Sequence, residues 1–60
     1  MRLKELRQAR GWTQATFAAK VGLSHEYIAR LETGHHDPPP LSTLEKLAKA
    51  LKVKVGKLLE

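Results

Sequence analysis

An all-α domain is the fold class that this sequence predicts, and three observations predict it. Leucine and alanine recur at spacings of three and four, as in Leu44, Leu47, Ala48 and Leu51. The apolar content is almost wholly aliphatic, with one Trp, one Tyr and one Phe, which suits a small close-packed helical core. Stop and start signals punctuate the chain at helix-length intervals, namely Gly11, Thr13, Gly22, Ser24 and Gly34. Sixty residues make one domain, 1–60, close to the lower limit for a core that folds without staples.

Composition sets further bounds. No cysteine is present, which excludes disulfides and thiolate metal sites. No run approaches the roughly 20 apolar residues of a membrane span, and MRLKELRQAR lacks the apolar centre of a signal peptide. The expected location is therefore cytoplasmic, with no membrane partner. A net charge of +5 favours a polyanionic partner such as nucleic acid, although lysines also serve solubility alone.

In chain order, Arg2–Arg10 reads as the first helix, with Leu3, Leu6 and Ala9 forming its apolar side and Gly11 ending it. Thr13 is a natural N-cap for the next helix, and Trp12 and Phe17 flank that cap at the spacing of a hydrophobic staple. The second helix, about Gln14–Lys20, turns Phe17, Ala18 and Val21 inward. Gln14 stands at its N-terminus, where backbone N–H groups and an amide side chain suit a phosphate, against the plainer reading of a solvated glutamine.

The stretch Gln14–Thr33 organises the rest. Ala18 is small enough to let a second helix cross closely, and Gly22 takes the positive φ that ends the first. Ser24 caps the second, while Ile28 and Leu31 supply its buried stripe. This is a helix-turn-helix pattern over residues 14–33. On the helix Ser24–Glu32, Tyr27, Leu31, Ser24 and Ile28 share an arc of about 100° that faces the core. His25, Ala29, Glu26, Arg30 and Thr33 occupy a separate arc of about 140°, free to meet a partner. A solvated face would also be polar. Within this motif the types fit base edges: His25 and Arg30 can donate to guanine, and Glu26 can accept from cytosine.

Residues 3–59 resemble the lambda-repressor-like, Cro/repressor (XRE-type) family of helix-turn-helix DNA-binding domains. The resemblance is carried by Leu6-Arg7, Gly11-Trp12-Thr13-Gln14, Phe17-Ala18, Val21-Gly22-Leu23-Ser24, Tyr27-Ile28, Leu31-Glu32 and Gly34, completed by Leu44, Leu47, Ala48, Leu51 and Val53. It implies a compact five-helix bundle in which Ser24, His25, Glu26 and Arg30 face the DNA groove. Phosphate contacts are then expected from Gln14, Thr13, Tyr27 and His35. It also implies a structural ion pair between Arg7 and Glu32, which spacing alone does not reveal.

The segment His35-His36-Asp37-Pro38-Pro39-Pro40 departs from the family pattern, where the corresponding loop gives backbone N–H groups to phosphate. Three prolines remove donors, Asp37 repels phosphate and no Lys or Arg is present. The His-His-Asp trio also suggests a metal site, but adjacent loop histidines rarely converge on one ion, so solvated histidines and no metal are expected. A fourth helix follows from Leu41 or Ser42 to Leu51, with lysines on its outer face, and Val53, Val55, Leu58 and Leu59 close the bundle in a last turn. Leu41, Val55, Leu58 and Leu59 are the candidate surface for a homodimer.

No Gly-rich phosphate loop, nucleophile elbow or metalloprotease motif is present, and neighbours Ser24 and His25 diverge by about 100° on a helix, so no catalytic residue and no cofactor are expected. The sequence therefore points to a transcriptional regulator that binds double-stranded DNA sequence-specifically. The alternative is an antitoxin or bridging module whose partner is a protein such as a toxin. The polar outer arc at residues 25–33 favours DNA, because a protein-binding helix more often shows an apolar stripe there.

Overall fold

The structure is a computed structural model that describes residues 1–34 and 38–60. His35, His36 and Asp37, and with them the His35 phosphate contact and the metal reading, lie outside the described residues. Five helices are found among the described residues: α1 Leu3–Ala9, α2 Gln14–Val21, α3 His25–Thr33, α4 Leu41–Leu51 and α5 Val55–Leu59. The expected all-α, five-helix bundle is what forms, and its extents are 22 × 22 × 18 Å.

Local chemistry accounts for the boundaries. Thr13 and Ser24 both stand in extended conformation, and their hydroxyls accept from the backbone N–H groups of Thr16 and Tyr27. Ser24 is thus the cap before α3 and not its first residue. The C-terminal end of α2 closes with paired backbone bonds, Gly22 N–H to the Ala19 carbonyl and Leu23 N–H to the Ala18 carbonyl. That closure requires a left-handed residue, and Gly22 has φ +74°. Lys52 ends α4 by the same closure at φ +58°, where a side chain is strained. Pro40, with no N–H to leave unsatisfied, precedes α4.

Leu3, Phe17, Ala18, Ile28, Leu31, Leu44, Leu47, Ala48, Leu51 and Leu58 form one core. Trp12 packs on its edge, stacked on Phe17 with ring centroids 6.0 Å apart, in line with the staple. The helix pairs in contact include α2 with α3 and α4, α4 with α5, and α1 with α3. The ends of the chain are tied together, since Arg2 N–H donates to the Leu58 carbonyl at 2.8 Å.

Two inward assignments, Ala9 and Leu59, and one outward assignment, Leu58, need correction. Ala9 is exposed: steps of three residues drift by about −60° each, so Ala9 lies some 120° from Leu3, whereas Arg7 lies only about 40° away. Arg7 takes the buried place that Ala9 was expected to share. Leu59 is half exposed, because consecutive helical residues diverge and Leu58 occupies the core. For the same reason Leu58, wholly buried, is not part of any free dimer surface.

Candidate nucleic-acid interface

The short turn Gly22-Leu23-Ser24 sets α3 across α2, and Ala18, only 3% exposed, leaves room for that crossing. With Ile28 and Leu31 buried, helical geometry turns the opposite side of α3 outward. His25, Glu26, Arg30 and Thr33 are exposed there, and Ala29 is half-buried. A small residue in the middle of a polar face allows another surface to approach the helix backbone. Ser24 is exposed beside them, while Tyr27 is half-buried against the core edge.

Behind this face runs a chain of hydrogen bonds. Arg7 grips Glu32 through two parallel bonds, Nε to Oε2 at 2.6 Å and Nη2 to Oε1 at 3.0 Å. Its Nη1 donates to the Trp12 carbonyl at 2.7 Å, so the buried guanidinium is well satisfied. Gln14 Nε2 donates to Glu32 Oε1 at 2.9 Å, and Gln14 Oε1 lies 2.9 Å from His25 Nε2. Three helices, α1, α2 and α3, are thereby joined from the buried ion pair to the outer face.

The electrostatics follow from burial. The Arg7 and Glu32 side chains are 8% and 4% exposed. Burial pushes the Glu32 carboxyl up, but hydrogen bonds from Arg7 and Gln14 and the charges of Arg7 and Lys4 outweigh it and hold it below the ordinary range. The hydrogen bond to Glu32 raises Arg7 against its own desolvation.

Two of the residues expected at phosphates, Thr13 and Gln14, already hold hydrogen bonds within the fold. Thr13 spends its hydroxyl on the cap, accepting from Thr16 N–H and donating to Thr16 Oγ1 at 3.0 Å. Gln14 is half-buried with its amide already in the chain just described, which leaves one amide hydrogen and the first backbone N–H groups of α2 for a ligand. Sequence reasoning treated Gln14 as a solvated or phosphate-bound amide and missed its link to Glu32 and His25. The signal was present only as residue types at one helix start and two positions of another. Lys20 was also passed over; its Nζ lies 4.9 Å from the Trp12 ring centroid, a cation–π contact on α2. No helix among the described residues is long and apolar enough to cross a membrane.

The helix-turn-helix family profile matches residues 3–58. The chain belongs to the Cro/C1-type helix-turn-helix family. Within that family it is 42% identical over 55 residues to the immunity repressor protein of Bacillus phage phi105, covering 92% of this chain and 38% of the repressor. It is 41% identical over 51 residues to RghRB, an uncharacterized HTH-type transcriptional regulator of Bacillus subtilis (strain 168), covering 85% and 37%. The chain therefore spans under two-fifths of the length of these curated relatives. Among solved structures it is similar to SinR, the master regulator for biofilm formation, crystallised in complex with DNA. The TM-score is 0.91 at 30% identity, over 98% of this chain and 94% of that one.

Proposed function

We propose that this chain is a DNA-binding module of a transcriptional regulator, reading the major groove of double-stranded DNA sequence-specifically with α3. One observation carries the reading: the exposed face of α3 is polar and short at its centre, with His25, Glu26 and Arg30 around Ala29. Support comes from the similarity to SinR, whose structure holds DNA, and to the phi105 immunity repressor. Ser24, His25, Glu26 and Arg30 are assigned to base edges, since guanidinium, imidazole, carboxylate and hydroxyl groups match the major-groove pattern. Gln14, Thr13 and Tyr27 are assigned to the sugar–phosphate backbone, with the α2 N-terminus supplying N–H groups. Arg7 and Glu32 are structural, because their side chains are shielded and satisfied.

Homodimerisation is part of the proposal. Leu41, 64% exposed, Leu59, 52% exposed, and half-buried Val55 are its candidate surface. Two copies would then place their α3 helices about 34 Å apart, one DNA turn. The same exposed leucines keep a protein partner, as in an antitoxin, as the second reading.

The test is selection from random duplexes with purified protein near physiological salt, then titration of the winner against scrambled DNA. An enriched palindrome with half-sites about 10 bp apart supports a dimeric specific regulator. Weak binding without enrichment, lost as salt rises, would overturn the reading and leave the charge as an electrostatic handle.

A further inference from the structure

We infer that the Gln14 amide sets the tautomer of His25 and thereby decides which bases that histidine selects, an inference that rests on α3 being the groove-reading helix. The argument runs outward from Glu32. Its carboxylate, ionised beside the Arg7 guanidinium, can only accept hydrogen bonds. The Gln14 atom 2.9 Å from Glu32 Oε1 must then be the amide nitrogen, since an oxygen there would set two acceptors against each other. Gln14 Oε1 is consequently turned to His25 Nε2 at 2.9 Å, and an oxygen acceptor requires that nitrogen to carry a hydrogen.

In the neutral ring the other nitrogen, Nδ1, is then bare. No hydrogen bond to Nδ1 is formed among the described residues, and His25 is exposed. The histidine thus offers an acceptor at the start of α3. In the major groove its complements are the exocyclic amines, N4 of cytosine and N6 of adenine; guanine presents the acceptors N7 and O6 and does not match. This reverses the guanine-donor role that residue type alone suggested. Gln14 becomes a positioning residue for specificity, acting through His25, besides any contact of its own with phosphate.

The test uses Gln14→Met, which keeps side-chain length and helical propensity but removes both polar atoms, in mildly alkaline buffer. Nitrogen NMR of the free protein should show His25 with Nε2 protonated and Nδ1 bare, and a tautomer mixture in the variant. On DNA, His25→Ala first identifies the base pair whose preference depends on His25. At that pair, replacing cytosine by 2-pyrimidinone or adenine by purine, which removes the exocyclic amine, should weaken wild-type binding by about 3- to 10-fold, and Gln14→Met should be nearly indifferent to the change. Three results would overturn the inference: a protonated Nδ1 with bare Nε2, wild-type binding that responds to 7-deazaguanine at that pair but not to loss of the exocyclic amine, or a variant that weakens every sequence by one factor. The last would leave Gln14 a phosphate contact only and the regulator reading intact. A wild type without preference at any position overturns the regulator reading and the base assignment together, and the nitrogen spectrum distinguishes that failure from a failure of the hydrogen-bond chain.

Discussion

Arg7 sits where an ordinary amphipathic helix would place a leucine, and the structure tolerates it because every side of the guanidinium that is used has an acceptor. Removing one partner strands a buried charge. Arg7→Met should therefore cost about 3–5 kcal/mol in urea unfolding, and Arg7→Met combined with Glu32→Leu should recover much of the loss. The pair also sets an acid limit. The folded value of Glu32 lies below its ordinary 4.5, so its contribution is full above about pH 4.5 and disappears as pH falls through the lower folded value. Urea titrations at falling pH should show wild-type stability declining below about pH 4.5, with a shallower decline for Glu32→Gln. At the outer face, Arg30→Ala should cost about 1–3 kcal/mol at the selected duplex, relax preference at one or two positions and spare the fold. A variant that keeps the wild-type ratio of selected to scrambled binding would remove Arg30 from the reading set. The caps at Thr13 and Ser24 and the Trp12–Phe17 stack were legible in the sequence, because each partner lies within five residues. Arg7 with Glu32 came only through resemblance, and Gln14 with His25 not at all.

At the scale of the element, helix ends carry the turn geometry. Gly22 and Lys52 close α2 and α4 by the same pair of backbone bonds, yet only one of them is a glycine. The lysine pays a steric penalty for its left-handed φ, which glycine avoids at a smaller entropic cost. Lys52→Gly should therefore raise stability by about 0.5–1 kcal/mol, read as a higher urea midpoint at unchanged m-value. A lower midpoint would mean that the strain at residue 52 is already relieved. Boundaries were readable to within a residue or two for all five helices, since stop and start signals are local. Inward faces were less so in the short ones: in α1, with seven residues, a three-residue spacing led to Ala9 and away from Arg7.

For the whole molecule, a net charge of +5 on sixty residues acts at a distance that no single contact matches. Raising salt from about 50 to 200 mM should weaken binding to selected and scrambled duplexes alike, because counterion release does not depend on sequence. At each salt concentration the selected duplex should stay ahead, because base-edge contacts are less sensitive to ions. If the advantage vanishes with salt, specificity does not come from α3. The exposed Leu41 and Leu59 lie on the α4 and α5 side of the bundle, and analytical ultracentrifugation across a concentration series would show whether they pair two copies.

By itself the sequence determined the five helices, the caps at Thr13 and Ser24, the tight turn before α3 and the polar outer face of that helix. Each of these depends on neighbours one to five residues apart, where backbone geometry leaves few alternatives. Only the tertiary structure decided that Leu58 is inside and Leu59 outside, that Arg7 is buried, and that Gln14 spans 18 residues to Glu32 and 11 to His25. Those contacts depend on how α1, α2 and α3 cross. The crossing is set by the packing of Ala18, Phe17, Ile28 and Leu31 together, which no local spacing encodes.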